Sequence, residues 1–140
     1  MTERATGEGL VEYLDLMRRM RAECAWKASQ THESLRQYVL EEADEVAEAI
    51  DEKDWAHLCD ELGDLLMQIY FHAQIAEENG EFTMDDVVAN LKTKMIRRNP
   101  HVFGDLRGRT LTIDEINELW ESAKVAEGLE RDKDRSRWAG

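Results

Sequence analysis

Two predicted helices each carry a pair of carboxylates on or beside a face that is otherwise apolar. At about 100° per residue, the helix from Leu35 to about Asp51 collects its apolar side chains on one face. Glu42 falls roughly 20° from Leu35, in the middle of that face, and Glu45 lies at its edge. Carboxylates are rarely buried without a partner, because removing their charge from water is costly. Something positive must therefore meet them, and a divalent cation is the simplest candidate.

The second pair, Glu61 and Asp64, repeats the i,i+3 spacing on the next predicted helix, Asp54 to Glu78. A short turn around Lys53 makes the two helices antiparallel neighbours, so that four carboxylates can converge in one crevice. Ligation by oxygen alone, without His or Cys, suits Mg²⁺ or Mn²⁺ better than zinc. The spacing leaves one alternative open, a solvated acidic face or ion pairs with lysines.

The pattern along the rest of the chain predicts an all-α fold, a bundle of about five helices. A length of 140 residues suffices for one domain with a core, and 42% hydrophobic and 35% charged residues with one Pro are typical of a helix-rich chain. We expect a flexible N-terminus over residues 1–9, a domain over 10–127 and a loose charged tail over 128–140. The predicted helices are Leu10 to Glu23, Leu35 to Asp51 (capped by Thr31 or Ser34), Asp54 to Glu78, a fourth from Thr83 to before Pro100, and a fifth from the capping box Thr112-Ile-Asp-Glu115.

Charge and hydropathy exclude several classes of protein. A net charge of −13 argues against general binding of nucleic acid, which needs a basic surface, but it permits a small anionic substrate. No apolar run approaches the ~18 residues of a membrane span. The first residues lack the hydrophobic region of a signal peptide, so we expect a cytoplasmic protein with no membrane partner. Cys24 and Cys59 form no metal-binding pattern, and we expect free thiols.

Four cations stand together on the fourth predicted helix without an acid among them: Lys92, Lys94, Arg97 and Arg98. Lys94 and Arg98 are four residues apart and share a face. Arginine forms bidentate contacts to phosphate, and lysine supplies a point charge. The alternative is favourable placement of cations near a helix C-terminus. The acidic pairs elsewhere in the chain favour phosphate binding.

Two tryptophans are candidates for contact with a ligand. Trp120 and Lys124 form an i,i+4 pair on the fifth predicted helix, where Trp120 is either a core residue or a lid residue. Trp26 lies in a polar connection and is a candidate for stacking on a nucleobase. An isolated Trp in such a position is more often a packing anchor.

These segments together resemble a known family. Glu41-Glu-Ala-Asp-Glu45 followed by Glu61-Leu-Gly-Asp64 resembles the EExxE…ExxD signature of the all-α nucleoside triphosphate pyrophosphohydrolases, and the chain is most similar to the MazG family. The resemblance covers roughly Leu10 to Lys124. Its supporting segments are Cys24-Ala-Trp26, Gln30-Thr-His32, Arg97-Arg-Asn-Pro-His-Val-Phe103 and Trp120-Glu-x-x-Lys124. The chain departs from the family at Ala25 and Lys27, where Pro and Asp are common, and at His57, where a basic residue is common.

The resemblance implies Mg²⁺-dependent hydrolysis of (d)NTPs to the monophosphate and pyrophosphate, with a role in clearing the nucleotide pool. It implies a homodimer or higher homo-oligomer in which the helical bundle is completed as a four-helix-type bundle. The metal ligands that it implies are Glu42, Glu45, Glu61 and Asp64. The substrate-binding residues that it implies are Trp26, Lys94, Arg97, Arg98, Trp120 and Lys124.

Our mechanistic hypothesis is in-line attack of water on the α-phosphorus, with Glu41 or Glu45 taking the proton. Two other interpretations stay open at this point. Within the same chemistry, the enzyme could be narrowly specific for dCTP, dUTP or a damaged nucleotide. From another class, the chain could be a non-catalytic dimerisation or regulatory module.

Overall fold

The structure is a computed structural model that describes the backbone of residues 6–138 and the side chains of residues 7–129. Every regular element in this part of the chain is an α-helix, which confirms the predicted fold class. Five long helices match the five predicted ones, and two four-residue helices were not predicted. The helices are α1 (Thr6–Glu23), α2 (Ala25–Ala28), α3 (His32–Glu52), α4 (Trp55–Glu78), α5 (Met84–Arg98), α6 (Pro100–Phe103) and α7 (Ile113–Trp138).

The two ends of the described chain differ from the predicted boundaries. Helix α1 begins at Thr6, within the segment predicted to be flexible, and α7 continues past Gly128 to Trp138, through most of the predicted loose tail. The segment after Gly128 contains no Pro and is rich in charged residues of good helix propensity. The cost of about 1 kcal/mol for one Gly does not end such a helix. Residues 1–5 and 139–140 lie outside the described residues.

The helix ends follow their capping residues. Thr31 is the N-cap of α3: its hydroxyl accepts from the Ser34 amide at 3.1 Å, while the Ser34 hydroxyl accepts from the Thr31 amide at 2.8 Å. The two residues that were alternative caps in the sequence are therefore the two halves of one capping box. The predicted box of Thr112 and Glu115 is confirmed, with the Glu115 amide 3.2 Å from the Thr112 hydroxyl.

The connection between α3 and α4 consists of only Lys53 and Asp54. Lys53 adopts a left-handed conformation with φ of 56°, which ends α3, and the Asp54 carboxylate caps α4 by accepting from the His57 amide at 3.1 Å. So short a connection makes α3 and α4 antiparallel neighbours, as predicted.

The chain forms two compact units, with the boundary between Val87 and Val88. In the first unit, α1, α3 and α4 share one core. Its buried side chains are Met17, Leu35, Tyr70, Phe71 and Ile75. Each large apolar side chain removed from water contributes about 1.5–3 kcal/mol, so this cluster fixes α1 and α3 against α4.

Polar contacts set the position of α1 along α4. The Tyr70 hydroxyl donates to the Leu10 carbonyl at 3.0 Å, and Arg18 and Arg21 pair with Glu77 and Glu78 at 2.9 and 3.0 Å. The Arg21 guanidinium also donates to the carbonyls of Lys27 and Gln30, at either side of the turn that follows α2. One arginine therefore joins α1, α4 and the α2–α3 connection.

The second unit contains the rest of α5 together with α6 and α7. On α7, Ile116, Leu119 and Ala123 are half-buried and lie on one face of the helix. Pro100 is the first residue of α6, where its missing amide leaves no bond unmade. None of the described helices combines the length and the apolar character that crossing a bilayer requires.

A histidine pair links α3 to α4. The rings of His32 and His72 stack within 5° of parallel, and their Nδ1 atoms lie 2.7 Å apart, so one ring donates a hydrogen bond to the other. Both Nε2 atoms are buried and lack a hydrogen-bond partner among the described residues. Glu33 and Arg36 line the groove beside the pair. Burial and the neighbouring His32 ring lower the pKa of His72 below its usual value of 6.5.

This lowered pKa predicts a loss of stability in acid. His72 binds a proton less readily in the folded protein than in the unfolded chain. Its contribution to the free energy of unfolding is therefore fully present above about pH 6.5 and is lost as the pH falls through the lowered pKa of the folded state. We expect the melting temperature of His72→Gln, measured by calorimetry, to fall less between pH 7.5 and pH 5.5 than that of the unmodified protein. His101→Gln, outside the pair, is the control and should lose as much as the unmodified protein. Equal losses in all three proteins would contradict the prediction.

Candidate metal centre

Four carboxylates of the first unit meet between α3 and α4. Glu42 and Glu45 come from α3, and Glu61 and Asp64 come from α4. One oxygen of each side chain lies within 4.8 Å of one oxygen of every other. The i,i+3 spacing places both members of a pair on one side of their helix, and the antiparallel packing brings the two sides together. The convergence that the sequence predicts is therefore confirmed, and we call this group the acidic quartet.

The four carboxylates of the quartet differ in their exposure to solvent. Glu61 is buried, with 7% of its surface exposed, Glu42 and Asp64 are half-buried, and Glu45 is exposed. The order on α3 agrees with the prediction that Glu42 lies on the apolar face and Glu45 at its edge. Glu41 is exposed and lies outside the quartet, so its role as a proton acceptor stays a prediction.

Burial and mutual repulsion raise the pKa values inside the quartet. Burial, together with the charges of Glu45, Asp64 and Glu61, raises the pKa of Glu42 from 4.5 to about 7. The pKa of Glu61 is also raised, chiefly by a hydrogen bond with Glu45 and then by burial. Carboxylates held this close disfavour one another's ionised form, and a proton or a cation relieves the repulsion.

The donor atoms fit a hard divalent cation. The Oε2 atoms of Glu42 and Glu61 are buried and lack a hydrogen-bond partner among the described residues. Buried polar atoms are ordinarily satisfied, so these two oxygens need a ligand that the chain does not supply. Because all four donors are carboxylate oxygens, the site suits Mg²⁺ or Mn²⁺ rather than a metal that prefers nitrogen or sulfur.

His57 belongs to the surroundings of the quartet, although the sequence interpretation noted it only as a departure from the family pattern. Its Nε2 lies 3.0 Å from Oε1 of Glu61, and its Nδ1 lies 3.5 Å from Glu52. Burial is the largest single effect and lowers the pKa of His57, but the hydrogen bonds and charges of Glu61 and Glu52 together outweigh it, and the net shift is upward. The i,i+4 spacing of His57 and Glu61 is the signal that could have identified this contact.

Trp26 lies on α2 with half of its surface exposed. Its ring meets Tyr38 and Phe71 edge-on, with centroids 6.1 and 6.5 Å away. One side of the ring is therefore a packing anchor, which was one of its two predicted roles. The exposed side leaves the other role, contact with a base, as a prediction.

The other predicted substrate-binding residues lie in the second unit, where Arg98 and Trp120 meet. The Arg98 guanidinium lies 4.8 Å from the centre of the Trp120 ring, and Lys94 is half-buried on α5. Lys124 is half exposed and lies 3.9 Å from Glu121, a weak contact.

Glu127 was missed by the sequence interpretation. Both Arg97 and Arg98 form ion pairs with its carboxylate. Its position seven residues after Trp120, on the same face of α7, is the signal that was available.

Comparison with known proteins gives the chain a family. Residues 30–103 match the model of the MazG nucleotide pyrophosphohydrolase domain. The chain is 47% identical over 118 residues to the nucleoside triphosphate pyrophosphohydrolase/pyrophosphatase MazG of Thermotoga maritima, covering 83% of this chain and 44% of that protein. It is 50% identical over 106 residues to the uncharacterized protein YabN of Bacillus subtilis, covering 74% of this chain and 21% of that protein. The chain thus spans less than half the length of either relative.

A solved structure agrees with the sequence comparisons. The crystal structure of a mazG-related protein from Thermotoga maritima superposes with a TM-score of 0.68 at 25% identity, covering 81% of this chain and 97% of that chain. The family match covers more than half of the 140 residues and includes all four carboxylates of the quartet. The chain therefore belongs to the MazG nucleotide pyrophosphohydrolase family.

Proposed function

We propose that this domain hydrolyses (deoxy)nucleoside triphosphates to the monophosphate and pyrophosphate, with Mg²⁺ held by the acidic quartet. The observation that carries the proposal is the convergence of four carboxylates with two buried, unpartnered oxygens. The name of the relative from Thermotoga maritima supports this chemistry. A non-catalytic module would keep the repulsion within the quartet without any benefit, so we favour the enzyme.

The reaction is a displacement at the α-phosphorus. A bond forms from water oxygen to the α-phosphorus, the bond to the bridging oxygen breaks, and pyrophosphate leaves. A bound Mg²⁺ would polarise the phosphoryl oxygens and lower the pKa of water. Glu45, or Glu41 one turn before it, takes the proton. Four of the predicted substrate-binding residues would bind the phosphate groups of the substrate: Lys94, Arg97, Arg98 and Lys124.

A product screen would identify the nucleobase that the enzyme prefers. We expect release of pyrophosphate, and not of phosphate, from several of the eight common (d)NTPs in the presence of Mg²⁺, with Mn²⁺ as a substitute. Broad turnover supports a role in clearing the nucleotide pool. Turnover of dCTP or dUTP alone would support the narrower alternative. If no nucleotide released pyrophosphate, the proposal would be contradicted.

Loss of a quartet carboxylate should abolish turnover. Removal of a residue that only supports a metal ligand costs 10- to 100-fold, so we expect Glu42→Gln or Asp64→Asn to lower kcat at least about 100-fold. Glu48→Gln is the matched control, since Glu48 lies exposed on α3 outside the quartet. The measurement is the initial rate of pyrophosphate release, with circular dichroism to verify folding. A variant of Glu42 or Asp64 with near-native kcat would contradict the assignment.

The cation should stabilise the fold more strongly at high pH. Because the pKa of Glu42 is raised from 4.5 to about 7, its contribution to stability is present below about pH 4.5 and is lost as the pH rises through about 7. A divalent ion relieves the repulsion that then remains. We expect Mg²⁺ to raise the melting temperature more at pH 8 than at pH 6, and Glu42→Gln to reduce that difference. A rise independent of pH would contradict this linkage.

We also propose that a second copy of the chain covers an exposed apolar stripe on α4. The stripe consists of Leu62, Leu66 and Ile69, which are 48%, 37% and 43% exposed and lie on one side of the helix. Apolar side chains grouped on a surface are typical of an interface. A homodimer formed there would complete a four-helix-type bundle beside the quartet.

A charge in the stripe should therefore separate the two copies. We expect Leu66→Glu to convert a dimer into a monomer in sedimentation velocity, because an unpaired carboxylate cannot be buried cheaply in an apolar interface. Val125→Glu, an exposed position on α7, is the control and should remain dimeric. An unmodified protein that sediments as a monomer at micromolar concentration would contradict the proposed dimer.

A further inference from the structure

The Arg98 guanidinium is held on two sides within the second unit. Its central carbon lies over the Trp120 ring, 4.8 Å from the ring centroid. One edge, formed by Nε and Nη2, faces Glu127: Nε donates to Oε1 at 3.2 Å and Nη2 donates to Oε2. The ring restricts movement of the guanidinium on one side, and the two hydrogen bonds to the carboxylate restrict its rotation. The side chains of Arg98 and Glu127 are only 14% and 12% exposed.

Glu127 leaves the other edge of Arg98 unused. A guanidinium has five N–H donors, and the side-on pair with a carboxylate takes two of them. The end-on edge retains one N–H on each Nη atom, the arrangement that binds two oxygens of a phosphate. Among the described residues, every hydrogen bond that Arg98 donates goes to Glu127.

The charge balance also leaves room for an anion. Arg97 donates to the same carboxylate, with Nε 2.9 Å from Oε1, and the charge of Glu121 also acts on Arg98. Because Lys124 lies 3.9 Å from Glu121, three cations face two carboxylates and a net charge of +1 remains. The hydrogen bonds from Arg98 and Arg97 lower the pKa of Glu127 to about 2. The carboxylate therefore stays ionised over the whole range in which nucleotides are stable.

We infer that Glu127 is a positioning residue: it holds Arg98 against Trp120 and leaves its end-on edge free to bind a phosphate group of the substrate. The inference rests on the proposed function and adds to it a residue that touches no substrate. An arginine fixed in this way loses less conformational freedom when phosphate binds, so the benefit falls on substrate binding.

A competing role for Glu127 predicts the opposite result. If the carboxylate merely occupied the arginines until phosphate displaced it, its removal would tighten binding. The geometry favours positioning, because the carboxylate uses the side-on edge of Arg98 and leaves the end-on edge for phosphate.

The test compares Glu127→Gln with Glu118→Gln, which removes the same charge from an exposed position of α7. Immobilising a side chain costs about 0.5–1.5 kcal/mol, so we expect Glu127→Gln to raise KM for the preferred NTP about 2- to 10-fold with little change in kcat. Glu127→Asp should recover part of the loss, and Glu118→Gln should leave KM unchanged. In an Arg98→Ala background Glu127→Gln should have a smaller effect, limited to what passes through Arg97, the other arginine paired with Glu127.

A second measurement does not depend on hydrolysis. In the nucleotide-free protein, ¹⁵N relaxation of the Arg98 Nε–H group, identified by its loss in Arg98→Lys, should show a lower order parameter in Glu127→Gln and no change in Glu118→Gln. Calorimetry with inorganic tripolyphosphate should show the same 2- to 10-fold weakening in Glu127→Gln, estimated from the same ordering cost.

The outcomes separate this inference from the proposed function. Absence of pyrophosphate release by the unmodified protein would overturn the proposed function, whatever the arginine does. An unchanged order parameter, an unchanged or tighter KM or tripolyphosphate affinity, or an equal effect in the Arg98→Ala background would overturn the positioning role. A KM increase that Glu118→Gln reproduces would likewise overturn it, since net charge alone would then explain the change.

Discussion

The repulsion among four carboxylates is the constraint on which the proposed site depends. Glu61 and Glu42 present buried oxygens that the described residues leave unpartnered, and the pKa of Glu42 rises to about 7 in response. A core built only for stability would replace such groups with apolar ones, because unpaired buried charge is costly. The quartet is therefore best understood as one half of an interaction whose other half is a cation.

The rest of the first unit serves to keep that quartet together. Phe71 and Leu35 fix α3 and α4 against each other, and the ion pairs of Arg18 and Arg21 join α1 to the end of α4. These contacts lie on the α4 segment from Tyr70 to Glu78, about two to four turns from Asp64. Apart from Glu61, the buried residues of α4 lie between Gln68 and Ala76, so the buried contacts of this helix are separated along it from the repelling carboxylates.

Periodicity and capping residues predicted the five long helices and the quartet, because both depend on spacing within one or two helices. The short helices α2 and α6 were not predicted, since four residues show no periodicity. The partner of Arg98 also escaped: Glu127 lies 29 residues away along the chain, and only the packing of α5 with α7 brings the two together. The contact of His57 with Glu61 was also missed, although it is local and its spacing was visible in the sequence. Sequence reasoning therefore finds ligands more readily than the residues that orient them.

The two-residue connection of Lys53 and Asp54 has a consequence for how this domain can vary. Loops commonly tolerate insertion and deletion. Here one residue gained or lost would turn α4 by about 100° about its own axis. Glu61 and Asp64 would then face away from Glu42 and Glu45, even if both helices formed normally. The number of residues in this connection thus sets the rotation of α4 about its axis. Relatives that keep the same chemistry should therefore keep the length of the connection more strictly than the identity of its residues.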